Sequence, residues 1–138
     1  MREQGPVSAE EIERQRAQEI LERQKEEKQI GQILLTTENA PDIEIVERIE
    51  IITAECAYGM HIFKDLFAGV RDIVGGRSKA VQKTMREARR TALLELKREA
   101  HAVGANAVVG VDLDYVELSS PGNMVMLVAS GTAVKAKL

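Results

Sequence analysis

The chain has 138 residues, a formal net charge of −3 and 44% hydrophobic residues, with two Phe, two Tyr and no Trp. That length fits one domain whose core is built from Ile, Val, Leu, Ala and Met, and the mild acidity argues against whole-molecule attraction to nucleic acid or an anionic membrane. The single cysteine, Cys56, excludes an internal disulfide and fits a reducing compartment; with no apolar signal core in Met1–Val7 and no run near the ~18 apolar residues of a membrane span, the expectation is a cytoplasmic protein.

Residues 1–32 are almost entirely polar and charged. Ser8-Ala9-Glu10-Glu11 reads as a capping box and Gly31 as a stop, which predicts a helix from about Ala9 to Ile30. Its apolar residues, Ile12, Ala17, Ile20, Leu21 and Ile30, form neither a heptad seam nor a wide stripe. The segment reads as a charged helical extension, solvated, or packed on neighbouring subunits through Ile20 and Leu21.

From Ile33 the pattern changes. Ile33–Thr37 is a short β-prone run, and Asn39-Ala40-Pro41-Asp42 is a turn. Ile43, Ile45, Ile49 and Ile51 then recur at even spacing, predicting a half-buried strand to about Ala54. Phe63, Leu66, Phe67, Val70 and Val74 take helical spacing and predict a short helix ended by Gly75-Gly76. A long helix is expected from about Lys79 to Val103, with an apolar stripe at Val81, Met85, Ala88, Ala92, Leu96, Ala100 and Val103, and Gly104 as its stop. Ala107–Leu118 and Met124–Ala136 read as strands joined by the turn Ser119-Ser120-Pro121-Gly122. The fold class is α+β: a small antiparallel sheet backed by a short and a long helix. So few elements cannot cover both sheet faces or protect the edges, so a homo-oligomer is expected.

Three stretches carry a resemblance. The run from Phe63 through Gly75-Gly76-Arg77-Ser78, the segment Gly104-Ala105-Asn106-Ala107-Val108-Val109-Gly110-Val111-Asp112, and Val128-Ala129-Ser130-Gly131-Thr132-Ala133-Val134 resemble the YbjQ family, a domain of unknown function that carries a heavy-metal-binding label. The likeness spans about residues 33–138 and leaves out the charged leader. It implies a dodecin-like α+β subunit assembled as a ring, a pentamer, and implies no established activity.

The candidate chemistry is sparse. Gly75-Gly76-Arg77-Ser78 precedes a helix, where free N–H groups, the positive helix end and Arg77 can converge on an anion, with Arg71 as a second cation. Ser78 serves equally well as an ordinary N-cap. Cys56, His61 and Asp65, spaced C-x4-H-x3-D, are competent ligands for a divalent transition metal. The plainer reading is a buried thiol, a solvent-facing histidine and a surface carboxylate. Asp112 and Asp114 share one strand face; paired carboxylates can do acid–base work or hold a cation, but ion pairs to Arg86, Arg89, Arg90 or Lys97 are favoured. The basic run Lys79, Lys83, Arg86, Arg89, Arg90, Lys97 and Arg98, balanced by Glu87, Glu95 and Glu99, reads as a solvated helix face without the aromatic groups of a nucleic-acid site. His61 and His101 are the only histidines and no Ser-His-Asp set exists, so an enzyme is not expected. The reading is a ring-forming binding protein that holds a metal ion or small anion near residues 56–78. The alternative is a structural module that displays its N-terminal helices to a protein partner; neither nucleic acid nor membrane is a partner.

Overall fold

The computed structural model describes residues 5–59, 76–118 and 124–138. The chain forms two units, residues 1–32 and 33–138. The expected short helix over 63–74 and the turn at 119–122 lie outside the described residues.

The first unit is the helix α1, Ala9–Gly31. Its start is the capping box that the sequence announces. The Ser8 hydroxyl accepts from the Glu11 N–H at 3.2 Å, and the Ser8 N–H donates to Glu11 Oε2 at 3.0 Å. Gly31 is the last helical residue rather than a left-handed cap; Gln32 follows in right-handed geometry, its N–H reaching the Lys28 and Gln29 carbonyls. Ile12, Ile20 and Leu21 are exposed, and Ile30 is the buried residue of the helix.

The second unit contains β1 (Leu34–Leu35), β2 (Glu44–Gly59), α2 (Gly76–Ala102), β3 (Ala107–Leu118) and β4 (Met124–Lys137). The sheet order is β1-β3-β4-β2. β2 and β3 both run antiparallel to β4, while β1 runs parallel to β3. The sheet is therefore mixed rather than purely antiparallel. The Leu34 and Thr36 N–H groups bond the Asn106 and Val108 carbonyls at 3.2 and 3.0 Å. A pairing only two residues long leaves no sequence signal for strand direction.

One face of the sheet packs on α2. Ala88, Ala92, Leu96 and Ala100, four residues apart, are at most 2% exposed and meet Ile52, Ala54, Val108, Val111, Leu127, Ala129 and Ala133. A stripe of alanines lets the helix axis lie close to the strands, with Leu96 as the large buried side chain among the described residues. A smaller cluster of Ala107, Val109, Val134 and Ala136, with Ile43 and Ile45 against it, occupies the opposite face at one end.

β2 departs from the simple alternation. Two register shifts, between Ile45 and Glu47 and between Arg48 and Glu50, leave Val46 and Ile49 without partners. Each extra residue moves the following side chains to the other face. As a result Ile43 and Ile45 serve one face, Ile49 and Ile52 the other, and Ile51 is 78% exposed. The four evenly spaced isoleucines do not form one buried row. Beyond them the strand continues to Gly59, because Glu55 to Tyr58 pair with Val128 to Val125. The small inward residues Ala54 and Cys56 give this part a weak hydrophobic pattern.

Three glycines and an asparagine fix the joints. Gly104 has φ +80, its N–H bonds the His101 carbonyl at 3.0 Å, and the Ala105 N–H bonds the Ala100 carbonyl at 2.9 Å. That pair of bonds is a Schellman motif closing α2. The next residue, Asn106, donates its N–H to the Val134 carbonyl. Its side-chain amide donates to the Ala136 carbonyl at 2.7 Å and accepts from the Ala136 N–H at 2.8 Å. The amide thus extends the β3–β4 ladder by one rung. Gly110, at φ +62, sits in a β3 bulge whose N–H groups turn outward, Gly110 to the Glu38 carbonyl and Val111 to that of Thr36. The bulge places Val108 and Val111 over Gly131, where an added Cβ would lie 2.6 Å from Val108 Cγ1 and 3.2 Å from the Val109 carbonyl oxygen.

Candidate functional site

The segments that carried the resemblance separate into two kinds. Gly104, Asn106, Gly110 and Gly131 each have a backbone or packing reason to be what they are, as described above. They are parts of the scaffold. The run from Phe63 to Ser78 is not explained in that way, and of it only Gly76, Arg77 and Ser78 belong to the described backbone, as the first turn of α2. The helix therefore starts about three residues earlier than the spacing predicts, and Ser78 lies inside the first turn rather than at the N-cap. First-turn N–H groups have no partner within a helix, so the backbone here has the donors an anion needs. Arg71 and Gly75 lie outside the described residues.

Of the candidate metal ligands, Cys56 lies on β2 opposite Leu127, half-buried at the edge of the core under α2. His61 and Asp65 lie outside the described residues. Among the described residues no three His, Cys, Asp or Glu side chains come together as a metal set. These residues by themselves do not fit a metal centre.

Asp112 and Asp114 do not reach the long helix. Val111 and Leu113 pack on the α2 side, so strand alternation turns the two carboxylates to the other face. Among the described residues neither has an ion pair, and the expected pairing with Arg86, Arg89, Arg90 or Lys97 of the same chain is not made. The described ion pairs are Arg98–Glu95 at 3.4 Å, Lys135–Glu47 at 3.8 Å and Lys137–Glu44 at 3.1 Å, all at the surface. Such pairs add little stability. Register places Glu55, Val128 and Asp114 in one row across the open face, with Thr53, Ser130 and Asp112 in the next. The Thr53 hydroxyl donates to Glu55 Oε1 at 3.3 Å.

Two hollows adjoin these elements. One, of about 350 Å³, is lined by Leu35, Thr36 and Thr37 after β1, Leu93 of α2, and Val111, Asp112 and Leu113 of β3. It is mostly apolar, so it suits a hydrocarbon group rather than an anion. The Thr36 hydroxyl already accepts from the Glu38 N–H at 3.2 Å. Three separate segments build this hollow, which is why no local motif announced it. The other, of about 390 Å³, is a groove along α2 lined by Gln82, Met85, Arg86 and Arg89. Neither guanidinium has an ion-pair partner among the described residues. No helix among the described residues is long and apolar enough to cross a membrane.

Residues 32–137 match the model of the YbjQ family, described as "Putative heavy-metal-binding". The fold is similar to the crystal structure of a protein of unknown function from Pediococcus pentosaceus ATCC 25745, described as belonging to the DUF74 family. That likeness has a TM-score of 0.52 at 12% identity and covers 76% of this chain and 98% of the other. It supports the α+β architecture with its four-stranded mixed sheet.

Proposed function

The chain belongs to the YbjQ family, and from that premise we propose that it is a self-assembling binding protein, a ring of subunits that holds its ligand near residues 56–78. The observation that supports assembly is the uncovered sheet. β2 is an edge strand over 16 residues, the side of β3 away from β4 has no described partner beyond β1 and the contacts of Thr36 and Glu38, and Ile51 stands 78% exposed on β2. Long edges and an open face with exposed apolar side chains are features that proteins cover, commonly with another copy. A ring of five is the form that the family resemblance implies.

For the ligand, the proposal has two branches. A small anion would sit on the first-turn N–H groups of α2, with Gly75, Gly76, Arg77, Ser78 and Arg71 around it. A divalent transition metal would need Cys56 together with His61 and Asp65, or with ligands from a second copy, since the described residues do not complete a set. Native mass spectrometry of the full chain with Zn²⁺, and separately with inorganic phosphate, tests both. The expected result is one multimer mass with saturable uptake of one probe. Arg77→Ala removes phosphate uptake, or His61→Ala removes zinc uptake, with the multimer intact. A multimer that takes up neither probe rejects the binding role, and a monomer at all concentrations rejects assembly.

A second reading rests on α1. This helix is a unit of its own that exposes Ile12, Ile20 and Leu21, as a structural module displaying helices to a protein partner would. Deleting residues 1–32 leaves the multimer intact under that reading. If the deletion dissolves the multimer, α1 is an assembly element instead.

A further inference from the structure

The charges of the second unit are sorted by element. α2 carries eight Lys and Arg against three Glu. β2 and β3 carry Glu44, Glu47, Glu50, Glu55, Asp112, Asp114 and Glu117, with Arg48 as their one basic residue. The sorting is also one of faces. Arg86 and Arg89 are exposed along the groove on the helix, whereas Glu55, Asp112 and Asp114 are exposed on the sheet face turned away from that helix. Within one chain the two sets cannot meet, because the sheet itself lies between them. Around the carboxylates the open face offers apolar surface, Ile51 and Val116 above all, with Val128 and Met126 half-buried between the rows.

We infer that the open sheet face of one copy is the docking surface for α2 of a second copy, with Asp112, Asp114 and Glu55 received by Arg86 and Arg89. The inference rests on the self-assembly proposed above and names its surfaces. The groove of about 390 Å³ lined by Gln82, Met85, Arg86 and Arg89 brings two guanidiniums to one surface, and guanidiniums pair well with carboxylates. Ile51 and Val116 supply exposed apolar surface at the two ends of the carboxylate rows, so apolar contact flanks the charged pairs on both sides. The contact is heterologous, since the acidic patch and the basic patch are different surfaces of the same molecule. Repetition of such a contact gives a closed ring or an open filament, and not an isologous dimer. Opposed charges steer the encounter and reject the sheet-to-sheet approach, which would set Glu55, Asp112 and Asp114 against their own copies.

Charge reversal tests this on the full chain, with multi-angle light scattering and native mass spectrometry at low and high salt. All four reversed positions are exposed, and a circular dichroism melt confirms that each variant folds. D112K/D114K, on the sheet side, and R86E/R89E, on the helix side, are each expected to weaken self-association about a hundredfold or more. The chain carrying all four changes is expected to regain the parent mass, because the complementary pair is restored with its signs exchanged. Raising the salt to about 1 M, where screening acts within ~3 Å, weakens the parent assembly. If the parent assembles and both reversed variants assemble equally well, this interface is wrong while self-assembly stands. A quadruple variant as weak as either double variant also overturns the pairing. A parent that stays monomeric removes the inference together with the reading beneath it.

Discussion

Gly131→Ala probes the crowding that the β3 bulge creates. A methyl group at this position would stand 2.6 Å from Val108 Cγ1, 3.4 Å from Val111 Cγ2 and 3.2 Å from the Val109 carbonyl oxygen. Carbon atoms prefer about 3.5–4.0 Å, so the closest contact is short by roughly 1 Å. Val108 is fully buried and β-branched, so it has few alternative rotamers. The Val109 oxygen belongs to the backbone of a paired strand. Overpacking of this kind costs about 1–3 kcal/mol. Reduced freedom of the unfolded chain returns about 0.4–1 kcal/mol, leaving a net loss of up to about 2.5 kcal/mol. Val108→Ala, which empties the same space, costs about 2–3 kcal/mol by itself. In the double variant the new methyl occupies part of that space, and the expected coupling is about 1–2 kcal/mol in favour of the pair. The assay is urea unfolding followed by circular dichroism at one fixed protein concentration, because assembly makes stability concentration-dependent. Additivity of the two changes within about 0.5 kcal/mol, or a Gly131→Ala variant more stable than the parent, would refute the steric account.

Further outcomes follow from the joints and the core. Gly104→Ala meets no atom within 4 Å but forces alanine to φ +80, so a loss of about 1–2 kcal/mol is expected in the same unfolding assay, with Gly104→Asn losing less. Asn106→Ala strands the buried Ala136 N–H and carbonyl and is expected to cost about 1–3 kcal/mol, seen also as faster amide exchange at Ala136. Leu96→Ala removes the largest fully buried side chain of α2 and is expected to cost about 2–5 kcal/mol; a loss under 1 kcal/mol would mean that α2 is not seated as described. Ser8→Ala breaks the capping box and is expected to destabilise α1 by about 1 kcal/mol, read as lower helicity in a peptide of residues 1–32.

The parts of the fold that were legible in the sequence are those whose causes are local. The capping box set the start of α1, the four-residue spacing from Ala88 to Ala100 marked the buried side of α2, and a lone glycine after a periodic run marked its end. β2 defeated its own pattern because two bulges change the facing of residues, and nothing in the spacing of Ile43, Ile45, Ile49 and Ile51 signals an unpaired residue between them. The parallel pairing of β1 is a long-range choice made by a two-residue segment. The expected ion pairs of Asp112 and Asp114 failed for a related reason: sequence gave the face of the strand but not which face α2 would cover. The candidate site was the least legible part. Its ligand residues were drawn from one neighbourhood of the chain, while the hollow of about 350 Å³ comes from distant segments brought together by β1, α2 and β3.

The closure of α2 has a mechanical consequence. Ala105 is tied back to the helix and Asn106, the very next residue, is tied to β4 by three hydrogen bonds. No rotatable slack separates the last turn of the helix from the sheet. A displacement of α2 along its axis is therefore not absorbed at its end, but delivered to the register between β3 and β4. The end of α2 and the β3–β4 pair thus form a single joint, on a helix that runs roughly 40 Å from its first turn to this point.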